Sequence, residues 1–300
     1  MTTQQTHFFR RGILPAVATF SAVAVAALLV IFYPIGASAA EPPVGLGTAG
    51  SYSVLAGETV TNTGATTLAQ SLGLHPGSAV ADTGTLLVGG ATNLANAAAL
   101  QAKADLGAAY GNAAGRTPPI LVNSELGSTQ LTPGVYQVGG DASGDAQVTG
   151  TLTLNTQGDP DAVFIFQMAR ALNTAVDSSV VFLNGATCNV YWQVTSSATI
   201  GVRSAFVGTI MASTSVAMQT NATLAGRALA RTGEVTLDTN VITQPVCPGA
   251  TTTPTAPAST SSTAPGGSLP TSPGGGTGTS TGTTKPPKKP ALPGLPQTGM

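Results

Sequence analysis

The chain is short of charge, aromatic rings, histidine and cysteine. Only 8% of its 300 residues are Asp, Glu, Lys or Arg, against about a quarter in an ordinary soluble domain. So sparse an ionic surface argues against a helical bundle, whose helices need charged outer faces. With 11 basic and 12 acidic residues the net charge is −1, which provides no basic footprint for nucleic acid. Aromatic residues make up 5%, with one tryptophan. Two histidines and two cysteines leave little material for a metal site. What fills the chain is 37 Gly, 21 Pro and a large share of Thr, Ser and Ala.

The ends differ from the middle. Residues 1–40 read as an export signal: His7, Arg10 and Arg11 form a basic start, Ile13 to Phe32 is apolar, and Ala37-Ser38-Ala39 is a small-x-small cleavage site. An uncleaved membrane anchor is the alternative, since about 20 apolar residues span a bilayer. Residues 249–294 are a Thr/Ser/Pro/Gly tract with no hydrophobic period, the composition of an extended disordered stalk. Leu295-Pro296-Gln297-Thr298-Gly299 resembles the sortase sorting motif of Gram-positive surface proteins, with only Met300 after it, which reads as a truncated signal. Residues 41–248 hold all twelve acids and six of the bases. A mildly acidic domain repels phosphate backbones and anionic lipids, so nucleic acid and membrane surfaces are not expected partners.

The middle carries a repeat. Phe206-Val207-Gly208-Thr209-Ile210-Met211-Ala212 recurs eighteen positions later as Leu224-Ala225-Gly226-Arg227-Ala228-Leu229-Ala230. Val216-Ala217-Met218 recurs nineteen later as Val235-Thr236-Leu237, and Ala198-Thr199-Ile200 stands eighteen before it. A unit this small has no core of its own and must stack on its neighbours, so about 18–19 residues should make one turn of a solenoid with three short faces. Alternation points side chains in and out with period two. On that rule Thr67, Thr151, Thr153, Thr199, Ala217 and Thr236 form an outward column of small residues. Phe164-Ile165-Phe166-Gln167 and Tyr191-Trp192-Gln193-Val194 read as buried rungs. One segment departs from the strand pattern: Thr92 to Tyr110 is alanine-rich and predicts a helix, with Thr92 as N-cap and Gly111 as its stop. Leu94, Ala97, Ala98, Leu100, Ala104 and Ala108 are among its helix formers, and its apolar stripe should pack along a flank of the solenoid.

Residues suited to catalysis are few. His75 lies in Leu74-His75-Pro76-Gly77 with no Gly-x-Ser-x-Gly elbow anywhere near it, and reads as a turn histidine. Asp159-Pro160-Asp161 as a carboxylate pair, and Asp141 with Asp145 as a weak calcium site, both sit among Gly and Pro, where Asp caps turns through its own backbone. No nucleotide-binding glycine fingerprint occurs. No enzyme activity, cofactor or metal is expected. Cys188 and Cys247 are 59 apart; in an exported chain a disulfide outranks a metal or nucleophile role, though spacing does not establish that the two meet.

Seven stretches together resemble the bacterial and fungal ice-binding domain family. They are Tyr52-Ser53-Val54-Leu55-Ala56-Gly57, Val60-Thr61-Asn62-Thr63-Gly64, Leu72-Gly73-Leu74-His75-Pro76-Gly77, Gly158 through Gln167, Asn189-Val190-Tyr191-Trp192-Gln193-Val194, Phe206-Val207-Gly208-Thr209-Ile210 and Gly226-Arg227-Ala228-Leu229-Ala230. They occur in order over residues 45 to 247. The resemblance implies a mainly β fold, a discontinuous right-handed β-helix with one helix alongside. It also implies adsorption to ice through one flat face, with inhibition of ice growth and recrystallisation. Ice is then the partner, the protein a monomer, and the peptidoglycan of a Gram-positive wall a second partner through the sorting motif. A flat array of Thr suits ice, because its methyl excludes mobile water while its hydroxyl holds ordered water. An adhesin or carbohydrate-binding solenoid stands as the alternative; it would want aromatic platforms, and Trp192 reads as buried.

Overall fold

Short runs of alternating apolar and small polar residues, broken by Gly, Ser, Asn and Thr, wind into a three-sided parallel β-solenoid. In the computed structural model residues 41–139, 145–245 and 247 are described. The predicted export signal, the stalk, the Leu295–Gly299 motif and Asp141 lie outside the described residues. Each full coil lays one strand on each of faces A, B and C in turn. Val163–Met168, Leu172–Thr174 and Ser179–Leu183 are one such set. All strand pairings are parallel, as coil stacking requires. Inward residues such as Leu152, Leu154, Leu172, Ile200, Val216 and Leu237 are fully buried. Tyr136, Phe166, Trp192 and Phe206 stack down the interior, with successive ring centroids 5.5, 4.1 and 4.8 Å apart.

The turn from face B to face C passes through a left-handed residue in most coils. Ser128, Gly150, Asp177, Arg203, Asn221, Thr239 and Gly64 all have φ between 55° and 80° and precede the face C strand by one or two positions. Such a residue reverses the chain within one or two positions. The strands beginning at Thr151, Ser179, Ala205 and Thr223 therefore start level with one another, and the face is laid out in register.

The stack is discontinuous in sequence. Tyr52–Ala56, near the N-terminal end, pairs with Thr223–Ala230, near the C-terminal end, and Thr59–Thr63 pairs with Val235–Asp238. The coils that start at residues 52 and 71 thus sit on top of the last coil, and the chain must return to the opposite end to begin Ile120–Val122. Nine strands on face A make eight spacings, about 38 Å. The α-helix Ala97–Ala114, of 18 residues, covers about 27 Å of that return. It lies on face A, where Ala102, Leu106, Ala109 and Ala113 pack on Leu55, Val135, Val163, Ile165, Tyr191, Met211 and Leu229. Face A strands are consequently buried on both sides, which is why Val163–Met168 and Asn189–Val194 read as continuous apolar runs rather than alternating ones.

Two sequence expectations need correction. The helix begins five residues later than predicted and ends later. Thr92–Leu94 is a strand in register with Leu72–Leu74, so Thr92 cannot cap. The N-cap is Asn96, whose side chain accepts the Ala99 N–H, and the C-cap is Gly115, with Gly111 inside the helix. Leu94, Ala97, Ala98, Leu100, Ala104 and Ala108 face solvent; the packed stripe is Ala99, Ala102, Leu106, Ala109 and Ala113. The coil length is also not uniform. Ala205 pairs with Thr223, Ala198 with Val216 and Val216 with Val235, the predicted 18 to 19 residues. Val135 pairs with Ile165, Thr151 with Ser179 and Phe164 with Val190, which are coils of 30, 28 and 26.

Candidate functional site

The structure divides the six predicted outward residues between two faces. Thr199, Ala217 and Thr236 stand in one in-register column on face B, which continues through Gln147 and Asn173 on one side and Thr61 and Ala81 on the other. Thr67 and Thr151 lie on face C in the column Thr151, Ser179, Ala205, Thr223, Val241, Thr67, Leu87. Thr153 lies on face C in the next column, between Gln130 and Val181. In the small coils that outer column is formed by Val207, Ala225 and Thr243. Two-residue alternation separates outside from inside but carries no information on which of three sides a strand occupies.

The two faces differ in width and in charge. Most face B strands are three residues long and present one side chain outward. Asp238 and Asp82 end face B strands at the corner shared with face C, and the exposed Asp177–Arg203 ion pair stands at the same corner, two residues before face C strands. Hydrogen bonds hold the Asp238 carboxyl below its ordinary pKa, Thr220 contributing most and then Thr239, so it stays charged. Face C presents two columns, and none of the residues on its rungs is Asp, Glu, Lys or Arg; strand Thr223–Ala230 carries Arg227 only after it has turned onto face A. The side chains of face C are mostly short, Thr, Ser, Ala and Val, with Leu87 and Gln130 toward its two ends. Thr151 and Ser179 hydrogen-bond across the rungs through their hydroxyls at 2.9 Å. Exposure of apolar carbon is high for a surface, at 58% for Leu87, 44% for Val241 and 40% for Val181. Where Ala205 and Ala225 fall between Val207 and Val241, the face dips into a shallow trough of about 330 Å³.

Ser179, Ala205, Thr223, Val241, Ala225 and Thr243 were not among the predicted residues. The eighteen-residue repeat contained the signal for half of them. Ala205 and Thr223 immediately precede Phe206 and Leu224, the first residues of the recognised repeat, and point away from them by alternation.

The other candidates resolve into structural roles. Asp159 accepts the Asp161 N–H at 2.9 Å, as a turn-capping Asp does. Both line a cleft of about 480 Å³ with Glu41, which is ion-paired with Arg116. Asp145 accepts from the Ala171 N–H and pairs with Arg170. His75 occupies the turn after Ser71–Leu74. Cys188 and Cys247 form a disulfide. Trp192 is fully buried, and its indole N–H donates to the Val207 carbonyl at 2.8 Å.

The parallel, in-register stacking of faces A, B and C defines a three-sided β-solenoid. The sequence model of the ice-binding-like family matches residues 54–243, and the chain belongs to that family, one defined by binding rather than by a reaction. An ice-binding protein of Nostoc sp. (strain HG1) is 43% identical over 199 residues, 66% of this chain and 72% of the relative. The crystal structure of an ice-binding protein from an Antarctic biological consortium superposes with a TM-score of 0.64 at 38% identity, covering 69% of this chain and 93% of that one. That of an ice-binding protein from the ascomycete Antarctomyces psychrotrophicus gives 0.62 at 33% identity, over 67% and 98%. These are β-solenoids of the same kind.

Proposed function

We propose that the protein binds ice through face C and thereby limits ice growth and recrystallisation. The observation that carries this reading is the in-register, charge-free pair of columns centred on Ala205, Thr223 and Val241. Ice is a flat, regular array of hydrogen-bonding groups. A matching surface must be flat and stiff, and long charged side chains would lose entropy on adsorption. Rungs about 4.8 Å apart, bearing methyl and hydroxyl groups, order water without such side chains. Thr67, Thr151 and Thr153 belong to this site; Thr199, Ala217 and Thr236 belong to the narrower face B. Face C spans about eight rungs of three to five residues, on the order of 400–500 Å², well below the ~800 Å² per partner of a stable protein interface. That area favours ice, a single extended partner, over a second copy, and the protein acts as a monomer without cofactor or catalysis.

An exported site of action agrees with the basic-then-apolar leader, and a disulfide between Cys188 and Cys247 suits an oxidising compartment. The Thr/Ser/Pro tract and Leu295–Gly299 add display on a Gram-positive wall.

Thr223→Tyr puts a bulky ring in the centre of face C, and Thr236→Tyr does the same on face B. Single-crystal shaping and recrystallisation by the purified chain should vanish in the first and persist in the second. The reverse outcome moves the site to face B. Shaping by neither variant nor the folded parent would sink ice binding and promote the adhesin.

A further inference from the structure

We infer that Trp192 is a positioning residue for face C: its indole N–H, by holding the Val207 carbonyl, sets the plane in which Ala205 and Val207 meet ice. The inference rests on the face C reading above. Strand Ala205–Ala212 crosses from face C to face A without a break, and does so at Gly208. From below, Ala205–Val207 is joined to its face C neighbour, Ser179–Leu183, by one register pair, Ser179 with Ala205. At that junction the Ala205 N–H donates to the Ser178 carbonyl at 2.9 Å. Val207 stands two residues past that junction, in the gap between the large coils and the small ones.

The indole fills this gap from inside. Trp192 is clamped between Phe166 and Phe206, with centroids 4.1 and 4.8 Å away, so its N–H has a fixed direction. The 2.8 Å bond to the Val207 carbonyl ties that direction to the backbone of the face. Gly208, at φ 108°, makes the approach feasible: a Cβ there would lie 2.8 Å from the indole nitrogen. The effect passes upward, because Val207 pairs with Ala225 and Gly208 with Gly226. A buried core side chain thus sets the height of four outward residues (Ala205, Val207, Thr223 and Ala225) at the floor and rim of the trough.

Trp192 is the chain's single tryptophan, so replacing all tryptophan with an analogue during expression alters this site alone. Benzothienylalanine keeps the ring shape and lacks the N–H; 4-fluorotryptophan keeps the N–H. Both full-length proteins are compared well below their melting temperatures, so that the folded fraction is equal. The sulfur isostere should raise the concentration that stops recrystallisation about tenfold, the scale of a lost buried hydrogen bond, and the fluorinated protein should match the parent. Equal activity in both overturns the inference, since a merely structural tryptophan would alter stability and not activity per folded molecule. Loss in both also overturns it, because the N–H is then not the deciding group. Failure of the face C reading itself is separate: it shows as undiminished shaping by Thr223→Tyr.

Discussion

The solenoid has two halves built to different standards. The half running from Thr209 through the last coil and on into the coils at residues 52–88 repeats every 18 to 20 residues. Its face C strands are three to four residues long. The other half, from Gly134 to Val194, repeats every 26 to 30, with face C strands of five. The extra residues of the large coils lie mostly in corners such as 156–162 and 184–188, and the rest lengthen the paired strands, as at Asn155 and Leu183. Face C therefore stays in register across both halves, although its edge widens at one end. Both named corners are the turn from face C to face A, so the insertions follow the face C rungs and leave their pairing intact.

The largest expected effect tests whether the halves are held together from outside as well as by their strands. The disulfide joins Cys247, just past the last small coil, to Cys188, at the start of strand Asn189–Val194 in the large half. Closing a loop with a sequence separation of 59 residues has a ceiling of about 4 kcal/mol in the chain-entropy model. The double variant Cys188→Ser/Cys247→Ser should lose about 3 kcal/mol in denaturant unfolding. Its ice shaping well below the transition should equal that of the parent, because neither cysteine lies in a face C strand. An unchanged unfolding midpoint would mean that the strands alone couple the halves.

A next effect sharpens the contrast by making one substitution in each half. At Gly226 an added Cβ would fall 1.9 Å from the Gly208 carbonyl oxygen, and backbone cannot move aside as a side chain can. Gly226→Ala should cost about 3 kcal/mol. At Gly134, in the large half, the nearest atom would be Ile120 Cδ1 at 3.4 Å, the end of a half-exposed side chain. Gly134→Ala should stay within about 0.5 kcal/mol of the parent. Equal costs would show that the small coils are no more tightly packed than the large ones.

The same division decides what could be read from the sequence. The repeat was visible only where coils are short, because register pairs such as Phe206 with Leu224 then recur at constant spacing. In the large half Phe164 and Val190 are equally exact partners, but irregular corners between them conceal the period. Inward and outward assignment succeeded for Leu152, Leu154, Thr151 and Thr236, since alternation is local. It failed to separate face B from face C, because which side a strand occupies depends on the number of residues in the preceding corners. The helix was recognised by its alanines and misplaced at its start. Thr92 and Leu94 suit a first turn by composition, yet pairing with Leu72–Leu74 holds them in a strand, and the cap fell to Asn96.

The smallest effect concerns how the helix is fastened to each half. Toward the large half its C-terminal carbonyls are capped by Gln167, whose side-chain amide donates to Ala113, Ala114 and Arg116. Toward the small half Lys103 donates to the carbonyls of Ala230 and Arg231, both at 2.6 Å. The first fastening has no titrating group; the second has one. Burial, and after it the nearby Arg231 charge, pulls the Lys103 pKa down to about 8. Between pH 8 and the ordinary lysine value near 10.5 the unfolded chain binds the extra proton at Lys103 and the folded one does not, so this group adds stability as pH rises across that window. The neutral amine still donates, which keeps the anchor in place. Because the group is partly solvated, the gain is on the order of 1 kcal/mol rather than the full value of the shift. Unfolding free energy measured at pH 7.5 and pH 9, below the range where the buried Tyr52, Tyr136 and Tyr191 would oppose it, should show this rise in the parent and in Gln167→Ala, and lack it in Lys103→Met. A rise that survives in Lys103→Met would place the titrating group elsewhere and leave the two fastenings alike.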